Sequence, residues 1–92
     1  MKSFAHSDTR AVFEGESPKI VPRRVLKRAT VKLLMVHAAN SLGDLTSPPA
    51  SRLEKLRGDR SGQHSIRIND QYRICFRWQD GNSYDVEIVD YH

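Results

Sequence analysis

The 92 residues fit one small domain with a single thin core. Fifteen Lys and Arg against 11 Asp and Glu give a formal charge of +4 and a pI of about 9.6, a balance that suits an anionic partner such as a phosphate backbone. The longest apolar run, Leu33 to Val36, is far too short to span a bilayer, and no apolar segment follows Met1-Lys2-Ser3-Phe4 to make a signal peptide.

Lys2-Ser3-Phe4-Ala5 reads as a short first strand. Ser7 or Asp8 is placed to cap a helix through Thr9-Arg10-Ala11-Val12-Phe13-Glu14, with Gly15 as its stop. Pro22 suits the first turn of a second helix. There Val25, Leu26, Ala29, Leu33 and Val36 recur at helical spacing, with the basic residues mostly on the other face, and the helix is expected to end near Ala39-Asn40. Residues 41–50, with Gly43, Asp44, Ser47, Pro48 and Pro49, read as a connection over the surface.

Four runs then alternate apolar and polar side chains: 52–58, 63–68, 72–78 and 84–89. One face of the resulting sheet is expected to pack and the other to be wet, carrying Arg57, Arg67, Arg73 and Arg77. Asn69-Asp70-Gln71 and Asp80-Gly81-Asn82 are the turns, and Gly58 to Gly62 a wider loop. The order is that of an α+β fold in one domain over 1–92, with an N-terminal strand and two helices packed on an antiparallel or mixed twisted sheet.

Charge concentrates in 22–32, with Arg23, Arg24, Lys27, Arg28 and Lys32, and again in 52–60. A solvated face explains such runs as well as an RNA surface does. The last strand leads to Asp90-Tyr91-His92. An imidazole titrates near neutral pH and can give or take a proton. A phenol can do the same or stack on a base. Beside arginines this set suits phosphodiester chemistry; the alternative is a packed Tyr91, a solvated Asp90 and a disordered His92. For the arginines the alternative is a cross-strand pair with a carboxylate such as Glu87. No His/Cys pair has metal-ligand spacing and no phosphate-binding glycine loop is present, so no cofactor is expected. The single Cys75 cannot form an internal disulfide, which points to a reducing cytoplasm and to a buried filler rather than a nucleophile.

The ordered set Leu53-Glu54-Lys55-Leu56-Arg57-Gly58-Asp59, Ser65-Ile66-Arg67-Ile68-Asn69, Tyr72-Arg73-Ile74 and Asp90-Tyr91-His92 resembles the RelE/ParE toxin superfamily, and within it the HigB branch. The resemblance implies a toxin of a type II toxin–antitoxin pair that cuts messenger RNA on the ribosome without a metal. In that chemistry the ribose 2′-oxygen attacks the adjacent phosphate. It implies a HigA-like helix-turn-helix antitoxin as partner, contact with operator DNA only through that antitoxin, and no membrane. Asp90, Tyr91 and His92 fall on the HigB active-site triplet. Arg73 falls on an arginine that flanks the scissile phosphate, and Arg57 on a position where lysine is common. Glu54 stands where some members have histidine; a carboxylate there can act as a general base, but it also repels the phosphate. Arg23, Arg24, Lys27, Arg28, Lys55 and Arg67 are the expected ribosome and RNA contacts. The alternative within the superfamily is a ParE-like toxin that inhibits DNA gyrase by binding, without cutting RNA.

Overall fold

Two turns set the sheet. Asp80 and Gly81 both adopt left-handed backbone, with φ of 52° and 77°, the geometry of the two-residue turn that matches strand twist. At the other turn the Asn69 side-chain oxygen accepts from the backbone N–H of Gln71 and of Tyr72, at 2.9 and 2.7 Å. Between and beyond them run β2 (Gln63–Arg67), β3 (Tyr72–Gln79) and β4 (Asn82–Asp90). With β1 (Glu54–Lys55) they form a four-stranded antiparallel sheet in the order β1-β2-β3-β4. The computed structural model describes residues 1–46 and 51–90.

Helix α1 (Ser7–Phe13) and helix α2 (Arg23–Ala38) supply the layer over one sheet face. The 3.6-residue spacing puts Val25, Ala29, Leu33 and Val36 on one stripe, and all four are buried. They join Val12, Ile66, Ile74, Phe76 and Val86 in one apolar cluster. Burying a side chain of this size contributes about 1.5–3 kcal/mol, so α2 is held mainly by that stripe.

Several expectations are corrected. The first strand is reduced to one parallel bridge, Phe4 with Val86, flanked by backbone hydrogen bonds from Lys2 to Ser83 and from Ala5 to Val86. The cap of α1 is His6, not Ser7 or Asp8: its Nδ1 accepts from the Asp8 N–H at 3.3 Å. Pro22 lies just outside α2 as its cap. The surface connection forms a 3₁₀ turn at Leu42–Thr46 that buries Leu45 in the core, while Ser47 to Ala50 lie outside the described residues. The strand expected over 52–58 shrinks to two residues, because the chain leaves the sheet at Arg57 and enters a 3₁₀ turn at Gly58–Arg60.

The largest correction concerns β3. Tyr72 through Phe76 are all buried, so alternation does not leave a wet face there. The second face is covered by Arg60, whose guanidinium meets Glu87 at 2.6 Å, with Cys75 buried in the strand alongside. Burial raises the Cys75 thiol pKa, with Glu87 adding to the rise while Arg60 and Arg73 oppose it.

Leu33→Ala is expected to cost about 2–5 kcal/mol, because Leu33 is fully buried between α2 and the sheet. Urea denaturation followed by circular dichroism measures it, and a loss under about 1 kcal/mol contradicts this packing.

Candidate active site

Arg73 is the centre of the second sheet face. It faces Arg67 across the β2–β3 register, and it is only 8% exposed. A buried guanidinium needs its N–H groups satisfied. Arg73 Nε donates to Ser65 Oγ at 2.7 Å, and Nη2 donates to the Arg52 carbonyl at 2.6 Å. Nη1 faces Glu54 Oε1 at 3.8 Å, and the Glu54 side chain is about half exposed. The expected exposed position of Arg73 is corrected: hydrogen bonds on two edges hold it in the body of the sheet.

Around it the candidates separate. Arg57 is exposed at the start of the 3₁₀ turn, and among the described residues its side chain has no ion pair or hydrogen bond. Lys55 is exposed on the edge strand β1. Arg67 pairs with Asp70, and Arg77 lies 3.4 Å from Asp85. Glu87, the alternative partner for Arg57 and Arg73, pairs with Arg60, and the carboxylate that Arg73 faces is Glu54. Asp90 aligns with Tyr72, and Arg73 with Val89, so alternation sends the Asp90 side chain to the opposite face from Arg73. Gln71 Nε2 donates to Asp90 Oδ2 at 3.2 Å. Tyr91 and His92 lie outside the described residues.

A second cationic feature lies on α2. Arg24, Lys27, Arg28 and Lys32 line an open groove of about 610 Å³ around Val31. Arg23 is exposed but outside that lining, and Lys32 takes its place. Burial, then the nearby charges of Arg28 and Arg67, lower the Lys32 pKa. Its ammonium donates to Ser51 Oγ at 2.6 Å. The sequence pattern pointed to none of Ser51, Ser65 or the Arg52 carbonyl. Only Ser65 left a signal there, a small polar residue set beside Ile66 on a buried strand.

Among the described residues no group of three or more His, Cys, Asp or Glu side chains is placed to hold a metal ion, and no helix is long and apolar enough to cross a membrane. His64 stacks near Phe76, with ring centroids 6.2 Å apart. Among the described residues its buried Nδ1 has no hydrogen-bond partner. Burial, then the charge of Lys55, lowers its pKa from 6.5.

The described fold is that of a RelE-like toxin. A chain of the YoeB–YefM complex from Staphylococcus aureus superposes with a TM-score of 0.60 at 18% identity, covering 100% of this chain and 97% of that one. The sequence profile of RelE-like toxins of the type II toxin–antitoxin system HigB matches residues 2–92, and the chain belongs to that HigB-like family. It is 32% identical over 92 residues to a protein named Endoribonuclease HigB from Proteus vulgaris, covering 100% of this chain and 99% of that one. It is 40% identical over 63 residues to Toxin HigB-1 of Vibrio cholerae, which covers 68% of this chain and 66% of that toxin.

A histidine whose folded pKa lies below its unfolded value contributes stability that is present above pH 6.5 and lost as pH falls toward the folded pKa. The denaturation midpoint is therefore expected to fall between about pH 7.5 and about pH 5. His64→Phe is expected to flatten that slope, and equal slopes in the two proteins contradict the assignment.

Proposed function

We propose that the chain is an endoribonuclease that cuts messenger RNA on the ribosome, without a metal, and so blocks translation. The observation that carries this reading is Arg73, buried to 8% exposure and fixed on two edges, with Nη1 3.8 Å from the half-exposed Glu54 carboxylate. A guanidinium so anchored suits the charge that builds on a pentacoordinate phosphate, because its donors need no reorganisation. Family membership and a full-length relative named as an endoribonuclease support the same chemistry.

In the reaction the ribose 2′-oxygen loses its proton and bonds to phosphorus. The bond from phosphorus to the 5′-oxygen breaks, and that oxygen takes up a proton. The products are a cyclic phosphate and a 5′-hydroxyl. We assign the two proton transfers to His92 and Tyr91, with Asp90 setting the state of His92. Arg73 and the exposed Arg57 stabilise the phosphate charge. Glu54 lies where the phosphate has to approach Nη1 and must give way to it. Ribosomal RNA docks on α2 through Arg23, Arg24, Lys27 and Arg28, with Lys55 and Arg67 on the flanks, gripping backbone phosphates without reading sequence.

The setting is the cytoplasm, and the partner that restrains the toxin is a HigA-like helix-turn-helix antitoxin. Operator DNA is reached only through that antitoxin. The structural match is to a two-protein complex, YoeB–YefM, and the matching family is that of a type II toxin–antitoxin system, which together support an antitoxin partner in general. The HigB-like match favours RNA cleavage over the gyrase-binding alternative.

Programmed ribosomes and mapped RNA 5′ ends test the activity, with ribosome-free RNA as a parallel sample. Arg73→Ala is expected to slow single-turnover cleavage about 10²–10³-fold, and Arg73→Lys to restore part of it. His92→Ala is expected to abolish growth arrest with the fold intact. A loss below about tenfold for Arg73→Ala removes it from the phosphate site.

Charge reversal at Arg23, Arg24, Lys27 and Arg28 is expected to weaken ribosome binding, and wild-type affinity to fall as salt rises. Affinity insensitive to both rules out α2 as an RNA contact.

A further inference from the structure

We propose that Ser65 and the Lys32–Ser51 pair are positioning residues for Arg73, so that Lys32 serves the reaction although it borders the docking groove. The proposal rests on the phosphate role given to Arg73 above. Ser65 is fully buried, and it accepts from Arg73 twice: Oγ from Nε at 2.7 Å, and its carbonyl from Nη2 at 3.5 Å. A guanidinium is planar, so holding Nε and Nη2 fixes where Nη1 points. Without the Ser65 hydroxyl, a buried Nε–H loses its acceptor and the plane is free to tilt.

The second hold comes from the Arg52 carbonyl, at 2.6 Å from Nη2. Arg52 has φ of 46°, a left-handed conformation that a side chain disfavours and that persists only when its surroundings impose it. The adjacent Ser51 is fully buried, and its hydroxyl receives Lys32 Nζ at 2.6 Å. Helix α2 thereby fixes the backbone that aims the next carbonyl at Arg73. Misplacing a reacting group by about 1 Å costs about 10²-fold in rate, so a remote strut of this kind is visible in the chemistry.

The test is single-turnover cleavage on programmed ribosomes at saturating and subsaturating concentrations of the full chain. Ser65→Ala, Ser51→Ala and Lys32→Met are expected to lower the saturated rate about 10–100-fold. Ser51→Ala leaves every charge in place, so its ribosome affinity and salt slope are expected to stay at wild-type values. Ser65→Thr keeps the acceptor and is expected to recover most of the rate. In an Arg73→Lys background, which has no Nε to hold, Ser65→Ala is expected to change the rate by less than about twofold. Where Ser65→Ala does not fold, Ser51→Ala carries the test.

Wild-type rates for Ser51→Ala and Ser65→Ala alongside an inactive Arg73→Ala overturn the positioning role and leave the site reading standing. An equal loss from Ser65→Ala in both backgrounds overturns it as well, as does a change in affinity with the saturated rate preserved. Normal cleavage by Arg73→Ala overturns the site reading, and the positioning role with it.

Discussion

A charged group held in the body of a β-sheet has to be satisfied by the atoms around it, and the arrangement around Arg73 follows from that need. Removing an ion from water costs several kcal/mol unless hydrogen bonds replace the lost hydration. The replacements come from a strand neighbour, Ser65, and from the carbonyl of Arg52. β1 is short, but it brings Glu54 opposite Ser65 and so to the rim of the same site. The 3₁₀ turn that follows carries Arg60 to Glu87 on the same sheet face. The cost of burying the cation is thus spread over segments that are far apart in sequence, and loosening any one of them reaches the others.

The division of labour between the two sheet faces has the same origin. The face under α2 is apolar and supplies cohesion through Leu33, Ile74 and Phe76. The other face holds Arg73, Glu87 and Arg60 and carries the chemistry proposed above. β3 serves both and is therefore buried from Tyr72 to Phe76. A strand covered on both sides tolerates few changes, and this one carries the arginine on which the proposed reaction depends.

The parts legible in the sequence were those governed by local rules. Helical spacing located α2 to within a residue or two, and Asp80-Gly81 marked its hairpin because few other dipeptides accept two left-handed residues. The run order gave the α+β class. The parts that stayed hidden depend on distant partners. Nothing local tells that Leu45 folds back into the core, or that Arg73 is buried rather than wet. The alternation rule failed at β3 because it assumes that one face meets solvent, whereas Arg60 and Glu87 cover the other. The cap at His6 was missed because histidine seldom takes that place, and here its ring nitrogen does what a serine or aspartate oxygen ordinarily does. For the site, resemblance supplied the candidates, but only the register separates Asp90 from Arg73 by a sheet face.

The first residues lie against β4, where Ser3 Oγ accepts from the Asp85 N–H, 82 residues away in sequence. Thr9 Oγ1 likewise accepts from the Ile88 N–H at 2.9 Å, closing the outer edge of that strand. During synthesis this segment emerges before β4 and has nothing to pair with until β4 has left the exit tunnel. Closing so long a loop is the slow step of a fold, since its entropy is spent before any contact repays it. The β3–β4 hairpin is local and forms quickly once made. The sheet edge is therefore sealed last in folding, once β4 has paired with β3 and the opening segment has closed onto its outer side.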